Sequence, residues 1–289
     1  MLYDALIAPF ADADGMRRAF AGALALSFGA PPVGVFLMLR RMSLIGDTMA
    51  HALLPGAAIG FLIAGLSVVA MAAGAMMAGL ALAIAGGVIA RFTPLHEDAS
   101  LAALFLISLA LGVAIVAAKG SDADLMDFLF GSVTALDNKA LLLIGGITTA
   151  SLLILALIWR PLVIECADPA FLRSVSRSGG PVHIAFLALL VVNMVGGFQA
   201  LGTLLAVGLM ILPAVISRFW ARDISAMIAV AIGSAALSGY AGLVIARQAH
   251  LPPGPAIVLA AGALYALSLF AAPFGGLIWR ALPRRHLEA

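Results

Sequence analysis

The residue pair with the clearest chemical potential in this sequence is an aspartate and a histidine four positions apart, Asp47 and His51. On a helix this spacing puts both side chains on one face, about 6 Å apart along the axis. A carboxylate and an imidazole that face the same way can bind a divalent transition metal. The same two groups could instead form a hydrogen-bonded pair that fixes helix packing, or a proton relay. The residue types alone leave all three interpretations open.

The stretch that carries this pair is apolar enough to lie in a membrane. The chain has 289 residues, of which 64% are hydrophobic and 10% charged, with a mean hydropathy of +1.15. Soluble domains carry about 25% charged residues, so the bilayer must be the solvent for most of this surface. If the helix starts near Arg41, His51 lies about 15 Å deep. An ionisable group there costs about 2.5–3.5 kcal/mol, and we therefore expect the pair to face the interior of a helical bundle.

Two ligands make an incomplete metal site, so other groups must complete it. Asn193, Gln199 and Thr203 are polar candidates in other apolar stretches. Each is also typical of an ordinary hydrogen-bonded contact between membrane helices.

The apolar segments predict an all-α, polytopic transmembrane helical bundle with 8–9 membrane segments, forming a single domain over residues 1–289. The nine segments lie at 19–39, 43–65, 67–90, 99–118, 140–159, 182–198, 200–219, 224–246 and 256–279. The region 182–219 is short for two spans and a turn, and glycines and Pro213 interrupt it. We therefore expect a broken or short helix near 196–213, and eight full spans are equally acceptable.

The distribution of basic residues predicts the orientation of the chain. Threading nine segments with Arg40 and Arg41 in the cytoplasm puts eleven basic residues on that side and five on the other. The N-terminus is then outside and the C-terminus in the cytoplasm. The outer loop at 119–138 is acidic and would attract cations.

The cytoplasmic connection at 160–181 contains the signals of a short surface helix. Asp168 is a favourable N-cap and Pro169 a favourable first helical residue, while Gly179 and Gly180 can end a helix. We expect an amphipathic helix at 165–178, which serves either as a connector or as a docking element for a soluble partner.

Several kinds of function are disfavoured by what the sequence lacks. The two lysines, Lys119 and Lys139, are not in a G-K-[ST] motif, so ATP hydrolysis would need another polypeptide. The sequence has no HExxH motif, so an intramembrane enzyme is disfavoured. A single cysteine excludes motifs that bind a metal through a pair of cysteines. Basic residues occur singly or in pairs, which does not indicate nucleic-acid binding.

The stretch at 40–56, Arg-Arg-Met-Ser-Leu-Ile-Gly-Asp-Thr-Met-Ala-His-Ala-Leu-Leu-Pro-Gly, resembles the second-helix signature of zinc/manganese ABC-transporter permeases, the ABC-3 family. Stretches at 127–131, 201–214 and 251–259 are similar to further landmarks of high-affinity zinc uptake membrane permeases, in the same order. Pro253 departs from the expected small residue. Asp168 and Pro169 occupy the position of the family's coupling helix. Together these stretches cover most of residues 17–280.

This resemblance implies a permease subunit of a metal importer in the bacterial inner (plasma) membrane, driven by alternating access. It implies a homodimer surrounded by lipid, two copies of an ABC ATPase subunit, and a periplasmic or extracellular metal-binding receptor. Asp47 and His51 would handle the transported ion, Zn²⁺ as first choice and Mn²⁺ next, with no resident cofactor. The hypothesis puts a gate at Met210, Leu212 and Pro213. The residues that would couple to the ATPase are Asp168, Phe171, Leu172, Arg173 and Arg177.

Two alternatives remain at this level. A proton-coupled secondary metal transporter would use Asp47 as its protonation site. A structural or regulatory membrane subunit would tolerate the loss of Asp47 and His51.

Overall fold

A computed structural model describes residues 14–65, 67–93, 97–118, 138–176, 179–274 and 276–277. The regular elements in these ranges are all helices, which confirms the predicted fold class. In chain order they are α1 (Asp14–Leu39), α2 (Ser43–Ala52), α3 (Leu54–Ala64), α4 (Val68–Phe92), α5 (Glu97–Ala118), α6 (Asn138–Ala167), α7 (Pro169–Val175), α8 (Gly179–Leu201), α9 (Thr203–Trp220), α10 (Ile224–Ala249) and α11 (Pro253–Ala271). Residues 119–137, most of the predicted outer loop at 119–138 and including the landmark at 127–131, lie outside the described residues.

Eight candidate membrane spans are present in the described part of the chain, within the predicted 8–9. α2 and α3 together make one of them, Ile45–Ala64, interrupted at the single residue Leu53. The predicted segment at 99–118 is helical, but its apolar stretch, Ala99–Ile115, is shorter than the others.

The predicted break near 196–213 falls at Gly202, whose φ of 84° favours glycine. It separates α8 from α9, which is the shortest of the eight spans at 18 residues. Pro213 lies inside α9 without ending it. Gly196 and Gly197 are close-packing positions: a Cβ at these positions would meet Ile147 Cδ1 at 2.9 Å and Ala206 Cβ at 2.5 Å.

The prediction for residues 140–178 was wrong about where the long helix ends. α6 does not stop near 159 but continues through Pro161 to Ala167, over 30 residues. Leu162 and Glu165 are buried beyond this proline, so packing outweighs the hydrogen bond that proline removes. The short helix is consequently α7, seven residues long, rather than 165–178. Gly179 begins α8 and does not end the short helix.

α1 is the most deeply buried of the candidate spans and forms the centre of the bundle. It contacts α2, α6, α8, α9 and α10. On one side α3, α4 and α5 pack on one another, and on another side α9, α10 and α11 do so. α2 lies between these groups, with α1, α4, α5, α8 and α9 as its neighbours.

Small residues allow the helices around α2 to approach at backbone distance. Gly56 and Gly60 of α3 face Gly74 and Ala70 of α4, and a Cβ added at Gly56 would collide with the Gly74 carbonyl oxygen. A Cβ at Gly34 of α1 would collide in the same way with the carbonyl oxygen of Met210 in α9. These contacts are the small-residue helix crossings that dispersion and close packing stabilise in lipid.

Gly56→Ala is expected to destabilise the folded subunit by about 1–3 kcal/mol. The added methyl group would clash with backbone atoms of Gly74, which cannot move aside as a flexible side chain could. The measurement is the midpoint of thermal unfolding in detergent. Gly87→Ala in α4 is the matched control, since nothing lies within 4 Å of its added Cβ, and alanine is favoured over glycine in a helix by about 1 kcal/mol. Equal midpoints for the two variants would contradict this packing.

Candidate functional site

The start of α2 is fixed by a tight turn at the end of α1. The Met42 N–H donates to the Leu37 carbonyl at 2.9 Å, and the Arg41 N–H donates to the Met38 carbonyl at 3.1 Å. Arg41 takes the left-handed conformation, with φ 59°. This is the Schellman pattern, which satisfies the last carbonyls of a helix. It uses an arginine where glycine is usual, so α2 begins in a defined direction at some cost in backbone strain.

Asp47 and His51 lie on the same face of α2, with Asp47 Oδ1 3.9 Å from His51 Nε2. The Asp47 side chain is 64% exposed and the His51 side chain 35% exposed in the isolated subunit. The opposite face of α2 is buried, through residues that include Ile45 and Met49. The two polar groups therefore share one face of α2, on which the subunit's other described helices leave Asp47 largely exposed and His51 partly exposed.

His51 also contacts α5, where its ring centroid lies 5.9 Å from that of Phe105. Nothing in the described part of the chain completes a metal site around the pair: no group of three or more His, Cys, Asp or Glu residues there could hold an ion. Asn193, a candidate from the sequence, instead makes a helix–helix contact. Its Nδ2 donates to Ser151 Oγ at 2.8 Å and to the Leu189 carbonyl at 2.9 Å.

The suggested gate residues lie on α9, which packs directly against α2. Met210 and Pro213 are buried and Leu212 is half-buried. The Met210 methyl group approaches Gly46, where an added Cβ would lie 2.6 Å from Met210 Cε. Met210 thus contacts the residue next to Asp47, although it does so inside the subunit and not on the exposed face of the pair.

α7 has the cap and the two-sided character that the sequence predicted. Asp168 Oδ1 accepts hydrogen bonds from the backbone N–H groups of Ala170 and Phe171, both at 2.9 Å. Leu172 is buried against the bundle, whereas Phe171 and Val175 are 53% and 69% exposed. The side chain of Arg173, like the whole of Arg177, lies outside what the structure describes.

A second ionisable cluster, not predicted from the sequence, lies where α1 ends, α6 ends and α8 begins. Arg40 Nη2 donates to Glu165 Oε1 at 3.2 Å and lies 2.6 Å from His183 Nδ1. The Arg40 guanidinium also stacks over the Phe186 ring, 5.0 Å from its centroid. The side chains of Arg40, Glu165 and His183 are 11%, 9% and 20% exposed. The one available signal was a lone glutamate in the apolar run at 162–166.

Comparison with known proteins gives a consistent family. The model of the ABC 3 transport family matches residues 12–272. The manganese import system permease protein ScaB of Streptococcus parasanguinis is 30% identical over 258 residues, which cover 89% of this chain and 91% of that protein. The zinc transport system membrane protein TroC of Treponema pallidum is 29% identical, over 94% of each chain.

Solved structures agree with this result. A chain of PsaBC from Streptococcus pneumoniae in complex with Fab superposes with a TM-score of 0.84 at 28% identity, covering 96% of this chain and 99% of that one. An inward-facing putative metal-chelate type ABC transporter has the same fold, with a TM-score of 0.66 at 18% identity over 88% of this chain and 85% of that one. With a family match over residues 12–272 and a bundle of eight candidate spans, the chain belongs to the ABC 3 transport family.

Proposed function

We propose that this chain is the membrane-spanning permease subunit of an ATP-binding-cassette importer for divalent transition metal ions. The observation that carries the proposal is the Asp47–His51 pair, which lies on one face of a membrane span and stays partly exposed among the described residues of its own subunit. The family and the names of the relatives support a transport role. A carboxylate and an imidazole are ligands suited to such ions.

The uncovered pair also supports a homodimer. A carboxylate exposed to hydrocarbon costs about 2.5–3.5 kcal/mol, so this face must meet protein or a water-filled passage. A second copy of the chain, facing the first across a two-fold axis, would add a second Asp47 and a second His51. Two carboxylates and two imidazoles form a four-ligand set, which one subunit does not supply among its described residues.

The transported ion is proposed to be Mn²⁺ or Zn²⁺, as cargo and not as a resident cofactor. The sequence analysis put zinc first. The relatives' names favour manganese, with ScaB and MntC described as manganese systems and TroC as a zinc system. Mixed carboxylate and imidazole ligands accept both ions. Competition of each ion against the other's uptake gives the order.

α7 is proposed as the docking element for the partner ATPase, of which a homodimeric permease would bind two copies. Its buried Leu172 anchors the helix to the bundle, and its exposed Phe171 and Val175 offer an apolar surface to a soluble partner. This proposal puts α7 in the cytoplasm beside a bacterial inner membrane. With α5 counted as a ninth crossing beside the eight candidate spans, the N-terminus is outside and the C-terminus inside. A metal-binding receptor would deliver the ion at the opposite side.

The transport cycle then follows from the position of α2. An ion from the receptor loses water as it enters, and the carboxylate and imidazole replace part of its hydration shell. Closure of the ATPase subunits moves α7, and the bundle opens to the other side, with Met210, Leu212 and Pro213 of α9 as the proposed gate beside α2. Affinity must be intermediate, because an ion that is held too tightly does not leave.

Asp47→Asn and His51→Ala are each expected to lower metal uptake by at least about tenfold, because each removes a ligand. Uptake of radioactive Mn²⁺ and Zn²⁺ is measured in vesicles that contain the ATPase and the receptor. Asp223→Asn is the control, since Asp223 is exposed and its side chain makes no capping bond to α10. Uptake that is indifferent to ATP but abolished by an uncoupler would indicate the proton-coupled transporter instead. Full activity of both variants would indicate a structural pair.

Phe171→Ala is expected to weaken binding of the ATPase subunit by about tenfold, because a half-exposed aromatic side chain on a docking helix is a typical contact hot spot. Binding is measured by titrating the purified ATPase against the permease in lipid nanodiscs. Leu157→Ala, which truncates an exposed apolar side chain on α6, is the control and should bind as the wild type does. Equal affinities for the two variants would remove α7 from the interface.

A further inference from the structure

The buried cluster of Arg40, Glu165 and His183 joins three helix ends that are far apart in sequence. Arg40 follows the last residue of α1, Glu165 lies in the last turn of α6, and His183 lies in the first turns of α8. All three contacts converge on one small region, where His183 Nδ1 is also 3.7 Å from Glu165 Oε1. Phe186 of α8 covers the guanidinium from one side.

The cluster lies next to two functional helices along the chain, α2 and α7. Arg40 is separated from α2 by the tight turn through Arg41 and Met42, so its position sets where the helix of Asp47 and His51 begins. Glu165 is three residues before Asp168, the N-cap of α7. Asp168 N–H is itself still bonded to the carbonyl oxygen of Ile164. The cluster therefore lies directly before the start of α7 and directly before the turn that leads into α2.

Because the cluster is largely buried, water cannot easily replace the contacts between its charged groups. Removing one partner of a buried ion pair leaves the other uncompensated, which makes the contact hard to break. A movement of α7 that carries the end of α6 with it must then carry Arg40 also.

The cluster can also tighten without changing partners. Arg40 Nη1 and Glu165 Oε2 are buried and have no hydrogen-bond partner among the residues that the structure describes, while Nη2 and Oε1 make the bond observed at 3.2 Å. A guanidinium and a carboxylate prefer two parallel bonds. A small approach of α6 towards α1 would bring Nη1 and Oε2 within reach of this second bond.

We propose that Arg40, Glu165 and His183 are positioning residues that transmit the movement of α7 to α2, and so couple ATP hydrolysis to displacement of the Asp47–His51 pair. This rests on the proposed function, because it presumes that α7 meets an ATPase and that the pair handles the ion. Neither Arg40 nor Glu165 touches the transported ion. Their contribution is to the ratio of ions moved to ATP consumed.

The test uses the complete transporter, with permease, ATPase and receptor reconstituted in proteoliposomes. Arg40→Met and Glu165→Gln are each expected to reduce metal ions transported per ATP hydrolysed by about fivefold or more, within the range of known coupling between sites. The affinity for Mn²⁺ and the ATPase rate should each stay within about twofold of wild type, since a coupling energy of this kind acts between the sites. The exchange Arg40→Glu with Glu165→Arg should recover most of the ratio.

The readouts separate a coupling role from a structural one. A merely structural cluster would lower the yield and the thermal midpoint of the assembled complex while the ratio of metal to ATP stayed that of the wild type, and this overturns the proposal. A loss of Mn²⁺ affinity that equals the loss of uptake would overturn it too. If the single variants do not assemble, Arg40→Lys is the deciding variant, because lysine keeps the positive charge but lacks the planar guanidinium that can make two parallel bonds. An unchanged ratio of metal ions transported to ATP hydrolysed refutes the proposal, and a lowered ratio supports it.

The same experiment distinguishes failure of this inference from failure of the proposed function. Wild-type vesicles that show no ATP-dependent metal uptake would remove the importer itself. Wild-type uptake that is normal, together with fully coupled Arg40 and Glu165 variants, would remove only the role of the cluster.

Discussion

The constraint on which this structure depends is that ionisable side chains inside a bilayer must be paired, hydrated or covered. The chain meets it in two ways. Where α1 and α6 end and α8 begins, Arg40, Glu165 and His183 pair with one another within the subunit and are largely buried. Asp47 and His51 lie on a face of α2 that the described residues of the subunit leave partly exposed, and this face must meet protein or a water-filled passage. Mutual pairing suits side chains that hold helix ends together, and partial exposure suits side chains that bind an ion in transit.

The rest of the bundle holds α2 between these two sites. The tight turn after α1 fixes where α2 begins. The close approach of Gly46 to Met210 fixes its buried side, and the crossing of Gly56 with Gly74 fixes the helix that follows it. The Gly56–Gly74 contact is made between backbone atoms and cannot relax by a change of rotamer, whereas Gly46 meets the methyl end of the Met210 side chain. The Asp47–His51 pair is thereby placed on a rigid support, and that support suits a site whose ligands must keep their geometry.

Much of the fold could be predicted because membrane spans are defined by composition. About 20 apolar residues in succession give a helix in lipid whatever packs around it. The errors arose where local signals compete with packing. The span predicted at 140–159 ended too early and Gly179 was expected to end a helix, yet α6 continues through Pro161 to Ala167, because Leu162 and Glu165 are buried against the bundle, and α8 begins at Gly179. Gly202 did mark a true break, since its φ is one that other residues rarely adopt.

The sequence by itself determined the membrane location, the helical class, the N-cap of α7 and the shared face of Asp47 and His51, because each depends on composition or on spacing within one helical turn or two. Only the tertiary structure decided that the described helices leave this face partly exposed, and that Arg40 meets Glu165 and His183, which lie 125 and 143 positions away. No periodicity within a helix encodes such contacts. They follow from which helices pack together, and in this bundle that is set by backbone approach at a few glycines and by the cost of leaving a charge alone in lipid.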